Sequence, residues 1–165
     1  MALSKEKEQE YIERVRMDGN ELQFIDEQTE EVCLEAVRQN GLALRYVKEQ
    51  TDEICLEAVG QNEEALNWVN HQTEKFCLEA IKRNPNVFRY VNWLTDEIEF
   101  MALLQDPANY RWIEFPTQEM NTIYELIDDH LKDHYASYQE IRLAIAMGKV
   151  EKTRSPYHVL EQLYH

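Results

Sequence analysis

Residues 28–93 repeat one pattern three times: QTEEVCLEAVRQNGLALRYVKE, then QTDEICLEAVGQNEEALNWVNH, then QTEKFCLEAIKRNPNVFRYVNW. The period is 22 residues without an insertion, and the first two copies are identical at 13 of 22 positions. A fixed period of this size is typical of proteins that stack one small structural unit on the next. Weaker copies over residues 6–27 and 94–115 extend the array to about five units.

Each copy predicts two short helices. In the middle copy, Thr51 is placed to cap a first helix over residues 52–61, because its hydroxyl can accept a hydrogen bond from a free amide of the first turn. Asn62 is expected to end that helix in the left-handed conformation, which asparagine tolerates. Pro85 and Pro107 in later copies suit the start of the second helix. That helix, of about two turns, is too short to be stable alone, so we expect it to pack against neighbouring copies.

The pattern stops at Pro116, and the residues that follow predict longer helices with a different spacing of apolar residues. The fold class predicted from the sequence is all-α. We expect a solenoid of short two-helix units over residues 1–116 and a helical C-terminal cap over residues 117–165.

The composition favours a protein partner over nucleic acid or membrane. The 165-residue chain carries a net charge of -15, which repels phosphate and anionic lipid and favours basic protein surfaces. No stretch approaches the ~20 apolar residues of a membrane span, and the polar first residues lack the apolar core of a secretory signal. Cys33, Cys55 and Cys77 hold one repeat position, about 8–10 Å apart in a helical stack, which is too far for disulfides. Free thiols in an apolar core, and hence a cytoplasmic protein, are therefore expected, and a reactive thiol is the alternative.

The elements ICLEAV, QN and AL(N/R)(W/Y)V of residues 28–93 resemble an uncharacterised family of 22-residue repeats in bacterial, phage and giant-virus proteins, known as a domain of unknown function. The resemblance is weaker over residues 6–27 and 94–115 and absent beyond residue 116. It implies helical repeats, gives no catalytic residues, and adds to the hypothesis of a role in a mobile element or in interaction with a host.

An acidic column is the first candidate for a binding surface. Glu35, Glu57 and Glu79 share one repeat position, and Glu31 and Glu53 precede the first two by one turn. These carboxylates form either a solvated face or a docking surface for a basic partner. Mimicry of nucleic acid is a further hypothesis, although the repeats carry only about half the charge of duplex DNA of that length.

The second helices carry an aromatic column and, beside it, a polar column. The aromatic residues either form a structural ladder or mark a protein-binding face. The polar residues are expected to point outward, either as surface ion pairs or as a local positive strip. The aromatic column is Tyr46, Trp68, Tyr90 and Trp112, and the polar column is Arg45, Asn67, Arg89 and Arg111.

A group of histidines and aspartates after Pro116 is a weak candidate for a metal site. His130 and His134 are spaced to share a helix face, with Asp129 and Asp133 beside them. The segment lacks the glutamate that follows the first histidine of a metalloprotease helix. We therefore expect a solvated face here, with weak metal binding as the alternative and a catalytic metal as a remote one.

No nucleophile motif or glycine-rich phosphate loop appears in the sequence, so neither an enzyme nor a cofactor is expected. The leading hypothesis is a protein-binding inhibitor or adaptor that presents an acidic face to a basic partner. The proposed setting is a phage or mobile-element antagonist of a host defence system that handles nucleic acid. The alternatives are a structural module or homo-oligomeric scaffold and, remotely, a metal-dependent enzyme.

Overall fold

The computed structural model describes residues 3–118, 120, 121 and 124. These residues form helices and connecting turns without a strand, and an α-helix alternates with a 3-10 helix along the chain. The α-helices are α1 (Lys5–Met17), α2 (Glu30–Gln39), α3 (Asp52–Gln61), α4 (Glu74–Arg83) and α5 (Asp96–Gln105). The 3-10 helices are η1 (Gly19–Phe24), η2 (Gly41–Tyr46), η3 (Glu63–Trp68), η4 (Pro85–Tyr90) and η5 (Pro107–Trp112).

The helices keep the period of the sequence. Each α-helix from α2 to α5 has ten residues, and α3, α4 and α5 each begin 22 residues after the one before. The helix predicted over residues 52–61 is confirmed as α3. Pro85 and Pro107 begin η4 and η5, as predicted.

The predicted threonine caps are also confirmed. The hydroxyl oxygens of Thr29, Thr51 and Thr73 each accept a hydrogen bond from the backbone amide three residues later, at 3.2–3.4 Å. This contact satisfies one of the free amides at the start of α2, α3 and α4.

Asn62 ends α3 as predicted, but the prediction that it does so in the left-handed conformation is wrong. Asn40, Asn62 and Asn84 are extended, with φ near -147°, -148° and -144°. Each side chain instead caps the 3-10 helix that follows, as where Asn62 Oδ1 accepts a hydrogen bond from the Glu64 amide at 2.9 Å. One extended residue redirects the chain, and the short polar side chain satisfies the first amide after the turn.

The second helix of each unit is a six-residue 3-10 helix. This tighter helix suits a short connecting segment, and it changes where one predicted residue lies. Of the two interpretations of the aromatic column, a structural ladder would bury Trp68, yet Trp68 is 47% exposed, whereas Leu66 and Val69 are buried. Trp68 is the last residue of η3 and Val69 is extended, so consecutive side chains point to opposite sides and only Val69 returns to the core.

The chain divides into two compact regions, Met1–Ile98 and Glu99–His165. In the first region, α1 to α4 pack in succession, and so do η1 to η4. The core lies between these two rows of helices. Leu22, Leu44 and Leu66 are fully buried there at one repeat position.

The predicted boundary after residue 116 falls inside the second region. Among the described residues of this region, Asn109 is buried and its Nδ2 donates to the Ala102 carbonyl at 3.1 Å. The Tyr110 ring stacks on Tyr124 with 4.0 Å between centroids, and its hydroxyl donates to Asn121.

Candidate functional site

A ladder of ion pairs joins α1, α2 and α3. Arg16 Nε donates to Glu35 Oε2 at 2.6 Å. Arg38 Nη1 donates to Glu35 Oε1 at 2.9 Å, and Arg38 Nε donates to Glu57 Oε1 at 3.1 Å. Arg16 and Arg38 hold the same repeat position, so each arginine reaches the glutamate of the next helix. We call these four residues the ion-pair ladder.

Glu35 is the most enclosed carboxylate of the ladder, with its side chain 14% exposed. Hydrogen bonds from Arg16 and Arg38 hold the pKa of Glu35 below its usual value, although burial alone acts in the opposite direction. Glu35 therefore stays ionised, and two guanidinium groups neutralise its charge locally. The predicted acidic column is thus paired at Glu35 and also at Glu57, where it was expected to face a partner or solvent.

The ladder ends at Gly60, which holds the repeat position of Arg16 and Arg38. A Cβ atom placed on Gly60 meets no other atom within 4 Å, so the space beside it is open. Glu79 on α4 pairs within its own helix, where Arg83 Nε donates to Glu79 Oε1 at 3.3 Å.

The predicted residues Glu31 and Glu53 lie one turn before Glu35 and Glu57, at the first turns of α2 and α3. Both are exposed and, among the described residues, neither has a cation within ion-pairing distance. The two turns are linked, because Thr51 Oγ1 donates to Glu30 Oε1 at 3.4 Å. We call the exposed carboxylates of these turns and their preceding loops the acidic edge. Its members are Asp26, Glu27, Glu30, Glu31, Glu49, Asp52 and Glu53.

The polar column of the 3-10 helices stacks on the aromatic column beside it. The Arg45 guanidinium lies 4.6 Å from the Tyr46 ring centroid, and that of Arg89 lies 4.8 Å from the Tyr90 centroid. Arg89 Nη2 also donates to Glu63 Oε1 at 2.9 Å. Both cations therefore lie against aromatic rings, and Arg89 also pairs with a carboxylate.

The other members of the two columns are exposed. Asn67 lies on the surface of η3 next to Trp68. In the second region, Arg111 lies 5.3 Å from the ring centroid of Trp112, whose side chain is 48% exposed. The large rings at Trp68 and Trp112 are thus half open to solvent.

The cysteine column is buried, as predicted. Cys33, Cys55 and Cys77 are free thiols, and burial raises the pKa of each to about 11. A thiol with this pKa holds little reactive thiolate at neutral pH. The arrangement is therefore that of core residues.

A ladder of glutamines was missed by the sequence reasoning. Gln28 Nε2 donates to the Tyr46 carbonyl at 2.9 Å, while its Oε1 accepts from the Lys48 amide at 3.0 Å. Gln50 makes the same two bonds one repeat later, to the Trp68 carbonyl at 2.8 Å and from the Asn70 amide at 3.0 Å. The signal was present, because glutamine opens every copy of the pattern over residues 28–93. These side chains satisfy the ends of the 3-10 helices and tie the first residue of a copy to residues near its end.

The predicted metal candidates His130, Asp133 and His134, with Asp129, lie outside the described residues. Within residues 3–118 and the few described positions beyond, no three histidine, cysteine or acidic side chains are placed to hold a metal ion. No helix in that same part of the chain is long and apolar enough to cross a membrane.

Comparison with known proteins gives one family. A family model described as a domain of unknown function (DUF4116) matches residues 29–73. The matched stretch contains α2, η2, α3 and η3, and it fits the uncharacterised family that the repeats resemble. Neither a curated protein nor a solved structure matches the chain.

Proposed function

We propose that this chain is a non-enzymatic protein-binding module whose acidic edge contacts a basic surface of a partner protein. The observation that carries the proposal is the difference between two sets of carboxylates. Glu35 and Glu57 are paired with arginine, whereas six of the seven acidic-edge carboxylates have no cation within 4 Å among the described residues. The exception is Asp26, which lies 3.6 Å from Lys48 Nζ.

Exposed and unpaired carboxylates keep their charge available for a partner. Such a surface speeds the encounter with a basic protein and selects against acidic ones. Nucleic-acid-binding proteins carry the extended basic surfaces that fit this requirement, so a protein of that class is the proposed partner. An inhibitor or adaptor acts in this way by covering the basic surface.

The proposed architecture gives the acidic edge its spacing. We propose that the pairs of α-helix and 3-10 helix form a solenoid, closed by a helical cap after residue 116. Successive first turns of a solenoid lie one unit apart on the same side. The spacing of the charges is then set by packing rather than by flexible loops.

The test compares two double charge reversals of equal net charge. Glu31→Lys/Glu53→Lys changes the acidic edge, and Glu10→Lys/Glu13→Lys changes two exposed residues of α1. A partner is first identified by affinity purification and mass spectrometry with the unaltered protein. Its dissociation constant is then measured for both variants at low and high salt.

Because the edge reversals place like charges against the partner, we expect binding to weaken on the order of tenfold or more. The α1 reversals are expected to have a much smaller effect. Equal effects of both variants, or binding that does not change with salt, would contradict the proposed role of the acidic edge.

A further inference from the structure

The repeat position held by Arg16, Arg38 and Gly60 differs between units in a way that leaves a gap. In the first two repeat units, residues 6–27 and 28–49, an arginine occupies this position and reaches the glutamate of the next helix. The distances are 2.6 Å for Arg16 to Glu35 and 3.1 Å for Arg38 to Glu57. In the third unit the residue is glycine, and the space in front of it is open.

The second unit shows what a guanidinium does at this position. Arg38 joins Glu35 of its own helix to Glu57 of the next helix. In the same register, a guanidinium at position 60 would join Glu57 to Glu79. The first two units are therefore an internal template for a cation bound between α3 and α4.

Glu57 on α3 and Glu79 on α4 have capacity for that cation. Glu35 accepts two side-chain hydrogen bonds, one at each oxygen, whereas Glu57 and Glu79 each accept one, at Oε1. Each carboxylate can accept a further bond at its second oxygen. Glu79 already holds Arg83 within α4, so a second cation there would complete the arrangement seen at Glu35.

A groove of about 540 Å³ is lined by α3 and α4 and reaches Glu79, although Glu57 and Gly60 are not among its lining residues. Leu56 and Leu78 are half-buried in its lining and offer an apolar surface for the methylene groups of a long side chain. The charged lining residues balance, so the groove itself does not create a general negative field. They are Asp52, Glu74 and Glu79 against Lys75, Lys82 and Arg83.

We propose that the gap at Gly60 receives an arginine side chain of the partner protein, whose guanidinium bridges Glu57 and Glu79 as Arg38 bridges Glu35 and Glu57. This inference rests on the proposed function, since it names the place where a basic partner inserts a side chain. Arginine fits better than lysine, because two carboxylates on neighbouring helices match a planar group with several donors.

The experiment fills the gap from within the chain. Gly60→Arg supplies the missing guanidinium, and Asn67→Arg is the matched control. The control adds the same charge on η3, at the repeat position of Arg45 and Arg89. The probes are fluorescein-labelled hexa-arginine and hexa-lysine, and binding is measured by fluorescence anisotropy.

The unaltered protein is expected to prefer hexa-arginine to hexa-lysine. Gly60→Arg is expected to weaken hexa-arginine binding about tenfold and to abolish the preference, because its own guanidinium occupies the carboxylates. Asn67→Arg is expected to change binding by less than about threefold, as expected for a remote exposed charge. Equal weakening by both variants overturns the inference.

A second variant keeps the gap open and removes one carboxylate charge. Glu79→Gln is expected to weaken hexa-arginine binding severalfold, whereas Glu10→Gln on α1 leaves it unchanged. No effect of Glu79→Gln also overturns the inference.

Failure of the inference is distinguishable from failure of the proposed function. One outcome is that hexa-arginine binds the unaltered protein and binds Glu31→Lys/Glu53→Lys more weakly, but binds Gly60→Arg equally well. That outcome supports the acidic edge and refutes the site at Gly60. If neither peptide binds the unaltered protein, both are overturned.

Discussion

Replacing Gly41 or Gly60 by alanine is expected to change stability in opposite directions. A Cβ atom on Gly41 would lie 2.4 Å from the Ala58 carbonyl oxygen and 2.7 Å from Gln61 Oε1. Both atoms belong to the next unit, where Gln61 Oε1 also accepts a hydrogen bond from the Gly41 amide at 2.6 Å. A Cβ on Gly60 meets nothing within 4 Å.

The magnitudes follow from these contacts. In Gly41→Ala the second and third units must move apart, since a backbone carbonyl cannot rotate away as a side chain can. Overpacking of this kind costs about 1–3 kcal/mol, and loss of the Gly41 amide bond adds about 1 kcal/mol. Gly60→Ala replaces a helical glycine without a clash and is expected to stabilise by about 0.5–1 kcal/mol.

Urea and thermal denaturation, both followed by circular dichroism, measure the two variants against the unaltered protein. For a chain of this size, the loss in Gly41→Ala corresponds to a melting temperature lower by roughly 5–15 °C. Gly60→Ala is expected to raise the melting temperature slightly. If Gly41→Ala is as stable as the unaltered protein, the close approach of the second and third units is wrong. If Gly60→Ala is destabilising, the open space at Gly60 is wrong.

Two further predictions concern side-chain hydrogen bonds. Because the pKa of Glu35 is lowered by folding, the stability it gives is present above the usual glutamate pKa and is lost as pH falls through the lowered value. Glu35→Gln should therefore lower the free energy of unfolding by about 1 kcal/mol at pH 7. At strongly acidic pH the variant should differ little from the unaltered protein. An equal loss at both pH values in urea titrations would contradict this. Gln50→Leu removes the bonds to the Trp68 carbonyl and from the Asn70 amide, which should destabilise by about 1–3 kcal/mol. Faster hydrogen exchange at the Asn70 amide checks it, and unchanged exchange there would refute the bridging role.

The sequence predicts the helices well, because their signals are local and recur. Thr51 starts α3 with a cap that depends only on its own first turn, and the burial of Cys55 follows from its place among apolar neighbours. The conformation of Asn62 was predicted wrongly. Asparagine can accept an amide bond after a helix in more than one backbone conformation, and the immediate start of η3 decides which one forms.

The charged surface was harder to predict, because its pairs join different helices. Arg16 and Glu35 are 19 residues apart, and so are Arg38 and Glu57. Neither pair is recognisable until the distance between neighbouring helices is known. A count of carboxylates therefore placed the acidic column at Glu35, whose charge is neutralised, as readily as at Glu31 and Glu53.

The position of Gly60 shows why a binding site is compatible with stability here. An exposed ion pair such as that of Arg38 with Glu57 contributes only about 0–1 kcal/mol, and a helical glycine costs about 1 kcal/mol relative to alanine. Leaving position 60 without a side chain therefore sacrifices roughly 1–2 kcal/mol, which is small beside the 5–15 kcal/mol of a typical domain. The same two glutamates offer more to a partner, because hydrogen bonds from Arg38 and Arg83 already orient them and little ordering is needed on binding. Stabilising substitutions at functional positions commonly reduce function. Gly60→Arg should show both effects in one variant, with a higher melting temperature and weaker binding of hexa-arginine. A higher melting temperature without weaker binding would show that this position of the ladder does not recognise arginine.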